Sequence, residues 1–139
     1  LTKIPIFGWY LRRLHMIAVD RGEGRKALLH MFNEAENAVA EDRSLLIFPE
    51  GTRQPPFQNP ELKSGIFLLY RRLGVPVVPI ALNSGVLWPK GARTIVAGRV
   101  TVSFLTTIEP GLDRQEFLNK LHATLSVESD KLAKELDVS

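Results

Sequence analysis

Apolar and polar positions change period several times along the 139 residues, and each change marks an element. In residues 5–14, "PIFGWYLRRL", Phe7, Tyr10, Leu11 and Leu14 recur at helical spacing behind a proline suited to a first helical turn. A short amphipathic helix is expected. It either packs on its own domain or lies at a membrane interface, with Trp9 and Tyr10 at headgroup depth beside Lys3, Arg12 and Arg13. Residues 15–20 are mostly apolar and predict a short buried strand, followed by the glycine-punctuated turn "RGEGR". Residues 24–41 return to helical spacing, with Ala27, Leu28, Met31, Ala35, Ala38 and Val39 on one stripe. "SLLIFPEG" predicts a strand that Pro49 and Gly51 stop.

The second half alternates in the same way. The three prolines of "QPPFQNPEL" make residues 54–62 a loop. "KSGIFLLYRRLG" predicts a helix ended by Gly74. "VPVVPIAL" predicts a strand, although Pro76 and Pro79 confine it to an edge, a start or a bulge. A loop follows over 83–92, then "TIVAGRVTVSFLTTI" predicts two strands that turn near Gly98 and Arg99. A long helix closes the chain, with Asp113 as its cap, Glu116 at the capping-box position and an apolar face running from Phe117 to Leu136. The order predicts an α/β fold, a mixed sheet flanked by helices. Ligands on open α/β sheets bind beyond the carboxyl ends of the strands, where "DRGEGR", "PEGTR" and "NSG" would converge.

Composition narrows the chemistry. A 45% apolar, 24% charged chain of this length is globular and is expected to form one domain. It has no cysteine, which excludes disulfides, a cysteine nucleophile and cysteine metal sites. His15, His30 and His122 stand apart with no paired acids, so no metal site is expected. A net charge of +3 favours an anionic partner such as phosphate, a phospholipid surface or nucleic acid, or describes only a solvated surface. No apolar run reaches the ~18–20 residues of a membrane span. The chain opens on Leu1, and we expect it to be part of a longer protein.

"HMIAVDR" contains a histidine and an aspartate with four residues between them, the spacing of an acyl-transfer dyad. In a strand the two side chains would be roughly 16 Å apart and would face opposite sides of the sheet. In a helix they would be rotated by about 140°. A general base has to lie within hydrogen-bond reach of its partner, so His15 and Asp20 are a decoy and the useful end of the stretch is Arg21.

"FPEGTR" carries the stronger chemistry. Gly51 can aim successive N–H groups at an anion, and Arg53 offers a planar fork that matches phosphate. Glu50 can hold an arginine or accept from a substrate hydroxyl, and Thr52 can donate to backbone or phosphate. A plain β-turn has the same spelling. Arg21 and Arg25 at a parallel strand end, and Lys63 at a helix start, favour a phosphomonoester cradle. The spelling of a nucleotide P-loop is absent.

At these residues the chain resembles the phospholipid/glycerol acyltransferase family, in particular its bacterial members that act on 1-acylglycerol-3-phosphate. "LLIFPEGTR" looks like the family's third motif, "MIAVDRGEGRKAL" its second and "VPVVPIALNSG" its fourth. "KSGIFLL" resembles the stretch after the third. The resemblance implies a glycerolipid acyltransferase-like fold, incomplete at the N-terminus, with residues 1–139 as the C-terminal part of one acyltransferase domain. It implies transfer of a fatty acyl group from acyl-carrier protein or acyl-CoA to the free hydroxyl of a lysophosphatidate, giving phosphatidate in phospholipid biosynthesis. The thioester is a co-substrate and no cofactor is implied. Carried over by position, Arg21 and Arg53 would bind the substrate phosphate, Glu50, Gly51 and Thr52 would shape the glycerol-phosphate site, and Lys63 would join the cradle. Val77, Val78, Pro79 and Ile80 would be structural, lining the acyl or thioester side.

The family's own His-x4-Asp motif precedes the second motif on a separate loop, so the dyad is expected upstream of Leu1 and the 139 residues alone are expected to be inactive. The implied partners are a lysophospholipid, an acyl donor and a membrane surface, with no nucleic acid. The implied location is the cytoplasmic face of the inner membrane, peripheral or held by a preceding segment. Two other readings remain open. One is a non-catalytic module for anionic lipid headgroups. The other is an acyltransferase for another lyso-lipid or for glycerol-3-phosphate.

Overall fold

The computed structural model describes residues 9, 13, 17, 25–52, 54–55, 57–58 and 60–136, with the backbone alone at 25 and 27. The chain forms two compact units, Leu1–Leu46 and Ile47–Ser139.

In the first unit, Trp9 and Arg13 have helical backbone, as the 5–14 pattern predicts. They are four residues apart, so they share a face, and the Arg13 guanidinium lies 6.0 Å from the Trp9 ring centroid. The expected strand at 15–20 lies outside the described residues apart from Ile17, which belongs to no regular element. Helix α1 runs Arg25–Ala40. Phe32, Ala35 and Ala38 are its buried positions, spaced by three as one helical face requires. Its end is a Schellman motif: Arg43 N–H donates to the Ala38 carbonyl (2.9 Å) and Asp42 N–H to that of Val39 (3.0 Å). Asp42 takes the left-handed conformation this requires, with φ of 55°.

The second unit contains α2 (Gly65–Leu73), β1 (Ile80–Leu82), the short α3 (Ser84–Leu87), β2 (Val102–Phe104) and the 21-residue α4 (Arg114–Lys134). Gly74 ends α2 in the left-handed conformation, with its N–H on the Tyr70 carbonyl. Asp113 caps α4, its carboxylate accepting from Glu116 N–H at 2.9 Å. The core lies between these two helices and the strand region. Phe67 and Tyr70 of α2 pack with Phe117 and Leu121 of α4 and with Ile108, and Tyr70 stacks on Phe117 with centroids 3.9 Å apart. Phe117 is fully buried, a burial that contributes about 2–3 kcal/mol.

Strands β1 and β2 are antiparallel, with Ile80 opposite Phe104 and Leu82 opposite Val102. Farther out, Val77 and Ile108 exchange both N–H···O bonds. Two residues separate Val77 from Ile80, while three separate Phe104 from Ile108, so the second strand carries one extra residue. That bulge falls opposite Pro79, which has no N–H to give and only accepts, from Leu105. The prolines therefore divide the expected strand as their chemistry demands.

Two expected strands differ. Residues 44–48 and 95–100 join no ladder among the described residues. The latter is tied by Val96 N–H to the Leu87 carbonyl and by the Arg99 carbonyl to the Asn83 amide.

Candidate functional site

The chain turns where Pro49 interrupts the run "LLIFPEG". Gly51 N–H donates to the Phe48 carbonyl at 3.0 Å, closing a β-turn with Pro49 second and Gly51 fourth, places those residues favour. Gly51 has φ of 72°, a conformation that costs any residue with a Cβ. The proline-rich loop then returns to the same turn, because Lys63 N–H donates to the Pro49 carbonyl at 2.9 Å. The Lys63 carbonyl in turn accepts from Ile66 N–H, leading directly into α2.

Backbone pinning at Pro49 lays the Lys63 side chain across Gly51. A Cβ placed on Gly51 would lie 3.4 Å from Lys63 Cγ and 3.6 Å from Cε. Glycine is thus favoured by its backbone angle, and a methyl there would touch the lysine stem at ordinary contact distance. Lys63, Gly51 and Thr52 are exposed, while Glu50 is half-buried. Partial burial desolvates the Glu50 carboxylate and pushes its pKa up from the ordinary value. The turn therefore offers a cation on a stem held at its base, beside the start of α2, and a carboxyl group inclined to keep or share a proton, while the Gly51 N–H expected to face an anion is taken by the Phe48 carbonyl. An anion can pair with the lysine, and a hydroxyl can donate to Glu50.

Four of the six residues the sequence assigns to the site, Glu50, Gly51, Thr52 and Lys63, are brought together here. Arg21 and Arg53 lie outside the described residues, as do His15 and Asp20. No group of three or more His, Asp or Glu among the described residues could hold a metal ion.

The "NSG" turn departs from expectation. Asn83 is buried and bonds inward rather than facing a ligand. Its amide nitrogen donates to the carbonyls of Arg99 and Leu132, both at 3.4 Å, and its amide oxygen accepts from Thr101 N–H at 2.9 Å. It joins the end of β1, the approach to β2 and the last turns of α4. The sequence signal was an amide directly after the apolar run "VPIAL", a place where a polar group has to be satisfied internally.

Residues 1–83 match the family described as Acyltransferase. The 1-acyl-sn-glycerol-3-phosphate acyltransferase of Pseudomonas aeruginosa is 37% identical over 102 residues, 73% of this chain and 40% of that protein. A Chlamydomonas reinhardtii protein of the same description is 32% identical over 109 residues, 77% of this chain and 32% of its own length. The crystal structure of the 1-acyl-sn-glycerophosphate acyltransferase PlsC from Thermotoga maritima superposes with a TM-score of 0.78 and 26% identity, covering 95% of this chain and 53% of that one. The α/β, glycerolipid acyltransferase-like fold expected from the motifs is therefore the fold observed. The chain spans about half the length of that structure and less than half of the two sequence relatives. With most of the chain matched, and with "FPEG" folded into a turn that Lys63 crosses, the protein belongs to the acyltransferase family.

Proposed function

We propose that the whole protein transfers a fatty acyl group from a thioester, acyl-CoA or acyl-carrier protein, to the free hydroxyl of 1-acylglycerol-3-phosphate, yielding phosphatidate at a membrane surface. The acceptor oxygen gives its proton to a general base and attacks the thioester carbonyl carbon. The new ester C–O bond forms, the C–S bond breaks, and the departing thiolate takes up a proton. In this reading the Glu50–Lys63 turn is the acceptor's phosphate and glycerol site, completed by Arg21 and Arg53. The observation that carries it is the Lys63 stem crossing Gly51, which sets a cation over a glycine turn at a helix start. The names of the relatives supply the reaction class. If residues 15–20 are extended, as their sequence predicts, His15 and Asp20 are too far apart to act as the base and its partner, and the 139 residues alone would hold acceptor without turning it over.

The test is an acyl-transfer assay on the full-length enzyme with lysophosphatidate or its dephosphorylated analogue, monoacylglycerol. Lys63→Ala should raise KM for lysophosphatidate about ten-fold or more, the loss expected for one charge-assisted contact, and leave monoacylglycerol kinetics little changed. Equal losses on both acceptors would mean that Lys63 does not read the phosphate.

A further inference from the structure

Acids and bases are unevenly spread along the chain. From Leu62 to Ile108 the sequence has no Asp or Glu, but carries Lys63, Arg71, Arg72, Lys90, Arg93 and Arg99. Outside that stretch acids outnumber bases, so the whole basic excess resides there. The last three cations lie on the connection between β1 and β2 and all are exposed.

The same connection exposes large apolar side chains. Trp88 is 50% exposed, Ile95 65% and Val96 44%. Their placement is not that of a loose loop. Val96 N–H donates to the Leu87 carbonyl, and Asn83 holds the backbone at Arg99 and Thr101. Gly98 passes so close to Leu87 that an added Cβ would lie 2.6 Å from its Cδ2. Buried Leu87 and Asn83 therefore fix the inside of the connection, and the aromatic, aliphatic and cationic side chains are turned outward. The apolar surface continues onto the sheet. Ala81 and Ser103 face α4, where Ser103 donates to Glu128. Leu82, Val102 and Phe104 project from the opposite face and are exposed.

We propose that this β1–β2 connection docks the protein on an anionic bilayer, with Trp88, Ile95 and Val96 at the headgroup–acyl boundary and Lys90, Arg93 and Arg99 against the lipid phosphates. Charge complementarity selects the occupant. A stretch free of carboxylates meets no repulsion at a negative surface, and a tryptophan amid aliphatic side chains suits a membrane interface better than the polar face of an acidic protein. No described helix is long and apolar enough to cross a membrane. It is separate from the Glu50–Lys63 turn and does not depend on acyl transfer.

These 139 residues have no cysteine, so Ile95→Cys in the full-length protein, with any cysteine elsewhere replaced by serine, accepts one environment-sensitive fluorophore. A Lys120→Cys variant, at an exposed position of α4, serves as the reference. With vesicles of phosphatidylglycerol and phosphatidylcholine, the label at 95 should shift to the blue and be quenched by brominated acyl chains. The label at 120 should do neither, and pure phosphatidylcholine should give a much smaller response. Replacing Lys90, Arg93 and Arg99 by Gln should weaken partitioning about five-fold per cation, roughly 10²-fold for all three, and raised salt should have a similar effect. The proposal is overturned if the label at 95 stays in water while the protein is vesicle-bound. It is equally overturned if that label is already buried without lipid. Burial that increases with protein concentration would assign the face to a second copy, and burial at every dilution to the protein's own chain. Response to an acidic protein but not to vesicles would assign it to a protein partner.

Discussion

Lys63 crosses Gly51 at van der Waals distance, 3.4 Å from its Cγ to where a Cβ would stand. This contact turns a sequence motif into a site, because it fixes where the lysine stem begins. Gly51→Ala meets one obstacle there, its backbone. The left-handed conformation costs about 1–2 kcal/mol for a residue with a Cβ, while the new methyl would lie at ordinary contact distance from the lysine stem, 3.4 Å from Cγ and 3.6 Å from Cε. The variant should unfold at lower denaturant by that amount and bind the phosphorylated acceptor as the parent does. Gly74→Ala, at a similar φ with nothing near its missing Cβ, should show the same loss of stability. A loss of acceptor affinity in Gly51→Ala alone would show that the methyl displaces the lysine.

Glu50 gives the site a pH dependence of definite sign. Its pKa is raised above the ordinary 4.5 by desolvation, so the folded protein holds that proton more tightly than the unfolded chain. The stability this confers is full below the ordinary value and is lost as pH rises through the folded value. Glu50→Gln keeps the shape and removes the titration. Measured by denaturant midpoint, the variant should gain on the parent between pH 4 and neutrality. A constant difference across that range would show that Glu50 titrates as it does in the unfolded chain.

The helices were legible because their signals are local. The Asp113 cap, the Gly74 stop and the Phe117 and Leu121 positions of α4 all depend on residues within a turn or two of each other. The strands were less so. Val77 to Leu82 could be called a strand, but its partner, its bulge and its division by Pro79 depend on residues some 25 positions away. The site was half legible. "FPEGTR" announces a glycine turn, whereas the return of Lys63 to the Pro49 carbonyl depends on the path of the intervening loop. Asn83 was misread because one amide after a strand is spelled alike whether it faces a ligand or the interior.

Tyr70 holds the segment before α4 onto α2 through a single hydroxyl. It donates to the Glu109 carbonyl at 2.6 Å and accepts from Leu112 N–H at 3.0 Å, while its ring stacks on Phe117. Tyr70→Phe retains the stack and leaves both backbone groups without that partner. A loss of about 1–3 kcal/mol is expected, with faster amide exchange at Leu112. An unchanged exchange rate would mean that solvent replaces the hydroxyl at no cost.

Asp42 is placed against its own chemistry, and relieving it should stabilise the first unit. It takes φ of 55° at the end of α1, a conformation glycine adopts freely, and its carboxylate adds negative charge where the helix dipole is already negative. Asp42→Gly removes both penalties, roughly 1–2 and 0.3–1 kcal/mol at full strength, the first reduced because aspartate tolerates this region better than most residues. Against that stands the greater freedom of glycine in the unfolded chain, about 0.4–1 kcal/mol. The balance favours the variant by about 0.5–1 kcal/mol. Asp42→Asn separates the causes, since it removes the charge and keeps the side chain. Amide exchange along α1 should slow most in the glycine variant and by part of that in the asparagine variant. Faster exchange in Asp42→Gly would show that the aspartate side chain, and not the Schellman backbone, holds the end of the helix.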